Sequence, residues 1–85
     1  MANFEIVFRK SVEKDLRAIS NHDVARIMAC IKLLADNPYP PGSRKLSGQK
    51  HFRVRLGVYR ILYEVEDKQL IVVVVKVGHR REVYR

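Results

Sequence analysis

The spacing of apolar residues changes period along this chain, and each period predicts an element. Across Asn3–Phe8, Phe4, Ile6 and Phe8 alternate with polar or smaller residues, as in a short strand buried on one face. Val12, Leu16 and Ile19 then recur at i, i+4 and i+7, which predicts a helix with Ser11 as its cap. Ser20–Asn21–His22–Asp23 interrupts it and offers a fresh N-terminus, with Asp23 placed to favour the positive end of the next helix. That second helix carries Val24, Ile27, Met28, Ile31, Leu34 and Ala35 on one stripe and stops at Asp36–Asn37–Pro38. Pro38, Pro40, Pro41 and Gly42 make a stiff loop.

Beyond the loop the period falls to two. In His51–Leu56, Phe52, Val54 and Leu56 face one way, and His51, Arg53 and Arg55 the other, with about 7 Å between successive members of a row. Gly57 breaks the strand, Val58–Glu66 resumes it, and Asp67–Lys68 turns the chain. Gln69–Val77 returns as a strand apolar on both faces, which marks it as interior. The order β-α-α-β-β-β predicts an α+β fold, with a two-helix hairpin packed on one face of a mainly antiparallel sheet.

Length and composition bound this reading. Eighty-five residues, 47% of them hydrophobic and 31% charged, suit one ordered domain spanning 1–85 with a thin core. The single cysteine, Cys30, lies in the helical apolar pattern and rules out an intrachain disulfide. MANFEIVFRK has no apolar segment of signal-peptide length, and Leu70–Val75 is far shorter than the roughly 18 residues of a membrane span. The expected location is the cytoplasm, with no membrane partner.

Charge narrows the field further. The net charge is +8, and it is unevenly placed. Residues 1–43 hold six basic and five acidic side chains, whereas residues 44–85 hold eleven and four. A half so basic points to a polyanionic partner, because neutralising phosphates releases their counterions.

No phosphate-binding glycine loop, zinc-spaced Cys/His set or HExxH occurs, so neither a cofactor nor a metal is expected. What remains is a basic constellation: His51, Arg53, Arg55, Arg60, His79, Arg80 and Arg81, with Tyr84 nearby. Arginine suits phosphate because its planar fork donates twice and keeps its charge. Tyrosine can stack on an unpaired base. The parity of Arg60 relative to Arg53 and Arg55 across Gly57 stays open. Each residue also has a plainer reading, as the wet face of a strand, a surface histidine or the packing of a chain end.

Several strings in this half resemble one family. Lys45–Leu46–Ser47–Gly48, Phe52–Arg53–Val54–Arg55–Leu56, Gly57–Val58–Tyr59–Arg60–Ile61–Leu62–Tyr63 and Val77–Gly78–His79–Arg80–Arg81–Glu82–Val83–Tyr84 resemble the RelE family of the RelE/ParE superfamily. The likeness covers essentially the whole chain. It implies a RelE-like fold and the toxin of a type II toxin–antitoxin pair that cuts mRNA in the 30S A site of the ribosome. The implied partners are a cognate antitoxin, mRNA, the ribosome with its 16S rRNA, and operator DNA bound by the toxin–antitoxin complex.

In that family the mRNA's own 2′-hydroxyl attacks the adjacent phosphate and leaves a 2′,3′-cyclic phosphate. The resemblance assigns the residue at 55 to deprotonation of the 2′-hydroxyl and Arg80 to protonation of the leaving oxygen. Arg53 and Arg60 would stabilise the phosphorane-like charge, and Tyr84 would stack on a base. It leaves Lys45, His51, His79, Arg81 and Arg85 as RNA or ribosome contacts. Where familiar relatives have lysine at 53 and 55, this chain has arginine, and a guanidinium does not give up its proton. Arg55 then acts by stabilising an oxyanion. His51, on the same row, is a second candidate for the proton acceptor. Two further readings share the fold: a ParE-like inhibitor of DNA gyrase that does no chemistry, and an inactive paralogue that only binds.

Overall fold

The most apolar run of the sequence forms an interior strand, flanked on both sides by strands that pair with it. The computed structural model describes residues 3–46 and 50–79. In order, the elements are β1 (Glu5–Phe8), α1 (Lys10–Arg17), α2 (Asn21–Asp36), β2 (Arg44–Lys45), β3 (Phe52–Leu56), β4 (Tyr59–Glu66) and β5 (Ile71–His79). They build a five-stranded sheet of order β1-β5-β4-β3-β2. Only β1 runs parallel to its neighbour, β5, and the remaining pairs are antiparallel.

Both helices cover one face, where Phe4, Val12, Ile27, Ile31, Leu34, Val54, Ile61, Tyr63, Val72, Val74 and Val77 form the buried cluster. The stripe on α2 supplies Ile27, Ile31 and Leu34 to it, as its spacing predicts. The Ser20 hydroxyl accepts from the Asp23 backbone N–H, capping this helix where the polar break predicts. The two-helix α+β reading holds.

Three details differ from the sequence expectation. Ser11 does not cap α1: Arg9 occupies that position in an extended conformation, and its side chain makes no capping bond. Instead the Ser11 hydroxyl donates to the Val75 carbonyl, and the Val77 N–H donates to the Asp15 carboxylate. The β4–β5 ladder shifts register between Leu62 and Tyr63, passing over Val75. Side chains of α1 therefore satisfy backbone groups that a bulged ladder leaves over. Secondly, α1 ends at Arg17, so Ile19 packs on the core from beyond the helix. Thirdly, Arg44–Lys45 is a fifth, edge strand paired with β3, where the sequence pattern predicts no element.

Two turns set the registers. Gly57–Val58 is a two-residue hairpin turn, with Gly57 at φ +59° as such turns demand of their first position. Leu56 therefore stands opposite Tyr59, and Arg55 opposite Arg60. The proline-bearing loop is held by Tyr63, whose hydroxyl donates to the Pro38 carbonyl at 2.6 Å, and by Tyr39, whose hydroxyl donates to Asp67.

Candidate functional site

The face of the sheet turned away from the helices carries the arginines. Partners in a ladder project to the same side, so the register assigns faces directly. Val54 and its partner Ile61 are buried in the core, which turns Arg53, Arg55, Arg60 and Leu62 the other way. Arg55 pairs with Arg60, Arg53 with Leu62, and Arg44 of β2 with Arg53. On β5 the residues opposite Arg60 and Leu62 are Gly78 and Lys76. Among the described residues, four guanidinium side chains and one ammonium thus share one end of the helix-free face.

Leu62 anchors this end. It is 7% exposed yet lies outside the main core cluster, with Arg53 on one side and Lys76 on the other. Long cationic side chains bury their stems on such a residue and hold their charge above it. Arg53 is partly buried, and its Nη1 makes no hydrogen bond among the described residues. A buried donor left without an acceptor costs about 1–3 kcal/mol, which an arriving anion recovers.

Among the described residues, the acids on this face lie at its other end. By register these are Glu64, Glu66 and, on β1, Glu5. Glu64 is engaged: its Oε2 accepts from Arg9 Nη2 at 2.9 Å and lies 3.1 Å from His51 Nε2. His51 therefore sits on the arginine side of the sheet, in contact with a carboxylate. The two are brought together because the hairpin register sets His51 across from Glu64.

The remaining candidates divide. Lys45 stands opposite Phe52, hence on the other side of the ladder from Arg44, and lines a hollow of about 310 Å³ with Tyr39 and Asp67. His79 pairs with Tyr59 on the helix side and lines a groove of about 740 Å³ with Asp15, Asp23 and Lys14. There the Tyr59 hydroxyl donates to Asp23 at 2.6 Å, and that bond, with some burial, raises the phenol above its ordinary pKa. Neither Lys45 nor His79 joins the arginine cluster. Arg80, Arg81, Tyr84 and Arg85 lie outside the described residues. Among the described residues no group of His, Cys, Asp and Glu is arranged to hold a metal ion, and no helix is long and apolar enough to cross a membrane.

Arg44 and Lys76 went unnoticed in the sequence. Arg44 joins the face because β2 exists, and Lys76 because it is the one charged residue inside β5. The parity of Arg60 was readable in principle: taking Gly57–Val58 as a two-residue turn sets Arg55 against Arg60.

Comparison with known proteins gives this face a context. A family described as the ParE toxin of the type II toxin-antitoxin system parDE matches residues 6–84. An Escherichia coli protein named for its likeness to RelE toxins is 32% identical over 80 residues, covering 91% of this chain and 83% of its own. Toxin RelG of Mycobacterium tuberculosis is 42% identical over 45 residues, 53% of this chain and 49% of its own. Among solved structures, the archaeal RelE–RelB complex of Pyrococcus horikoshii superposes with a TM-score of 0.82 at 26% identity, covering 96% of this chain and 99% of that one. The toxin-antitoxin complex RelBE2 of Mycobacterium tuberculosis gives 0.82 at 25% identity, covering 92% and 99%. These matches define a toxin of the type II class. Within it, the chain belongs to the RelE family of the RelE/ParE superfamily.

Proposed function

We propose that this toxin is a ribosome-dependent mRNA endoribonuclease. The observation that carries the reading is the placement of Arg53, Arg55 and Arg60 on one helix-free face, with Arg55 directly opposite Arg60. In the reaction the 2′-oxygen forms a bond to the adjacent phosphorus and the bond to the 5′-oxygen breaks. The products are a 2′,3′-cyclic phosphate and a 5′-hydroxyl. Arg53 and Arg60 stabilise the charge that builds on the equatorial oxygens, and Arg55 stabilises the 2′-oxyanion. By motif, Arg80 stabilises the charge on the leaving 5′-oxygen, which takes its proton from water, and Tyr84 stacks on a base. The 2′-proton passes to water, to ribosomal RNA, or to His51 held by Glu64.

The ribosome's part is to order the mRNA, since a cluster of fixed cations without a tuned acid–base pair works chiefly by positioning and charge. The relatives solved as toxin–antitoxin complexes support a small antitoxin as partner here, and by family analogy that complex binds operator DNA. The test is a purified system. Programmed ribosomes with the protein added should yield mRNA cut in the A site with a cyclic phosphate end. Uncut mRNA under those conditions rejects the reading.

One observation favours a second reading. The matching family is described by ParE of parDE, which fits a gyrase inhibitor on the same scaffold. That alternative predicts loss of supercoiling activity when the protein is added to purified gyrase, with mRNA left intact.

A further inference from the structure

Beside the Arg55–Arg60 pair the same face carries a second cationic pocket. A cavity of about 330 Å³ opens between the loop at 41–42 and the β2–β3 ladder, lined by Pro41, Gly42, Arg44, Arg53, Val54 and Arg55. Three of its six lining residues are arginines and none is acidic. Arg44 and Arg53 are ladder partners, so their side chains rise together from adjacent strands. Arg53 Nη1 is buried without a hydrogen bond among the described residues. Gly42, at φ +92°, forms the lip, and a Cβ placed there would meet nothing within 4 Å. The mouth is therefore open to a chain passing over it.

We propose that Arg44 and Arg53, under the Pro41–Gly42 turn, bind a phosphodiester of single-stranded RNA that neighbours the one attacked. The proposal rests on the nuclease reading for the identity of the strand. Two like charges on adjacent strands, with no acid between them in the pocket, call for an anion. A phosphodiester meets that need, since its one negative charge is spread over two free oxygens that can accept from both guanidinium groups. Arg53 lies between Arg44 on β2 and the Arg55–Arg60 pair, so it bridges the two subsites. Arg44 touches neither the attacked phosphorus nor the leaving oxygen. It is a positioning residue that fixes where the strand lies, and its loss affects KM more than kcat.

A non-cleavable 2′-O-methyl RNA oligonucleotide tests this by fluorescence anisotropy over a salt series. Arg44→Ala should weaken binding several-fold and reduce the slope of log K against log salt by about 0.7, the value for one phosphate of a single strand. Arg44→Lys should restore part of both. Lys32→Ala, the same charge change on the exposed side of α2, should leave affinity and slope near wild type. Equal affinity and slope for Arg44→Ala and wild type overturn the subsite, as does an equal loss for Lys32→Ala or no binding by wild type. Wild-type binding that depends on Arg44, in a protein that leaves programmed mRNA uncut, rejects the nuclease reading and keeps the subsite.

Discussion

Arg55 and Arg60 stand directly opposite each other across the β3–β4 hairpin, on the side of the sheet that no helix covers. Like charges so placed disfavour the fold. Arg55 is exposed, and surface changes of this kind alter stability by no more than about 0.5 kcal/mol. Arg55→Gln should therefore keep the urea midpoint of wild type while abolishing growth arrest on expression. A variant that unfolds easily would show that Arg55 is structural rather than functional.

Tyr63 makes the alkaline limb of stability predictable. Burial pushes its phenol up to about 12, against about 10 for an ordinary tyrosine. Between those values the unfolded chain releases this proton while the folded chain keeps it. The contribution is therefore whole below about pH 10 and is lost as pH rises towards about 12. Tyr63→Phe should flatten that loss, as read from denaturant midpoints at neutral and alkaline pH. At neutral pH it should cost about 1–3 kcal/mol, because the Pro38 carbonyl loses its donor.

Leu70 carries a left-handed backbone, φ +55°, with its side chain 45% exposed in the β4–β5 turn. A branched apolar residue gains nothing there to offset that conformation. Leu70→Asn should raise stability by up to about 1 kcal/mol, measured by thermal or chemical unfolding.

Arg9 and Glu64 join the end of β1 to the middle of β4 through a 2.9 Å ion pair, with Arg9 53% and Glu64 16% exposed. Half-exposed pairs are screened. A double-mutant cycle with Arg9→Ala and Glu64→Ala should give a coupling of about 0.5–1 kcal/mol at low salt that shrinks in high salt. If the coupling is unchanged by salt, the pair is shielded from solvent more than its exposure indicates.

The elements with a strong period were legible in the sequence. The stripe Ile27, Ile31, Leu34 is buried, and the doubly apolar β5 is an interior strand, as their spacing requires. Arg53 and Arg55 share a face for the same reason. What escaped depended on pairing rather than period. Arg44–Lys45 is too short for any alternation to show, so β2 and the place of Arg44 followed only from its partner strand. His51 and Glu64 are thirteen residues apart and meet only because a two-residue turn aligns them. Ser11 had the chemistry of a cap, but a carbonyl at a register shift took its hydroxyl instead.

The central claim is cleavage of translated mRNA through the arginine face. Its most direct test is to map transcript ends after brief expression of wild type and of Arg60→Ala in bacteria. The account predicts new ends confined to translated regions and in phase with codons for wild type, and none above background for Arg60→Ala. Intact transcripts in arrested wild-type cells, accompanied by altered plasmid supercoiling, would contradict it.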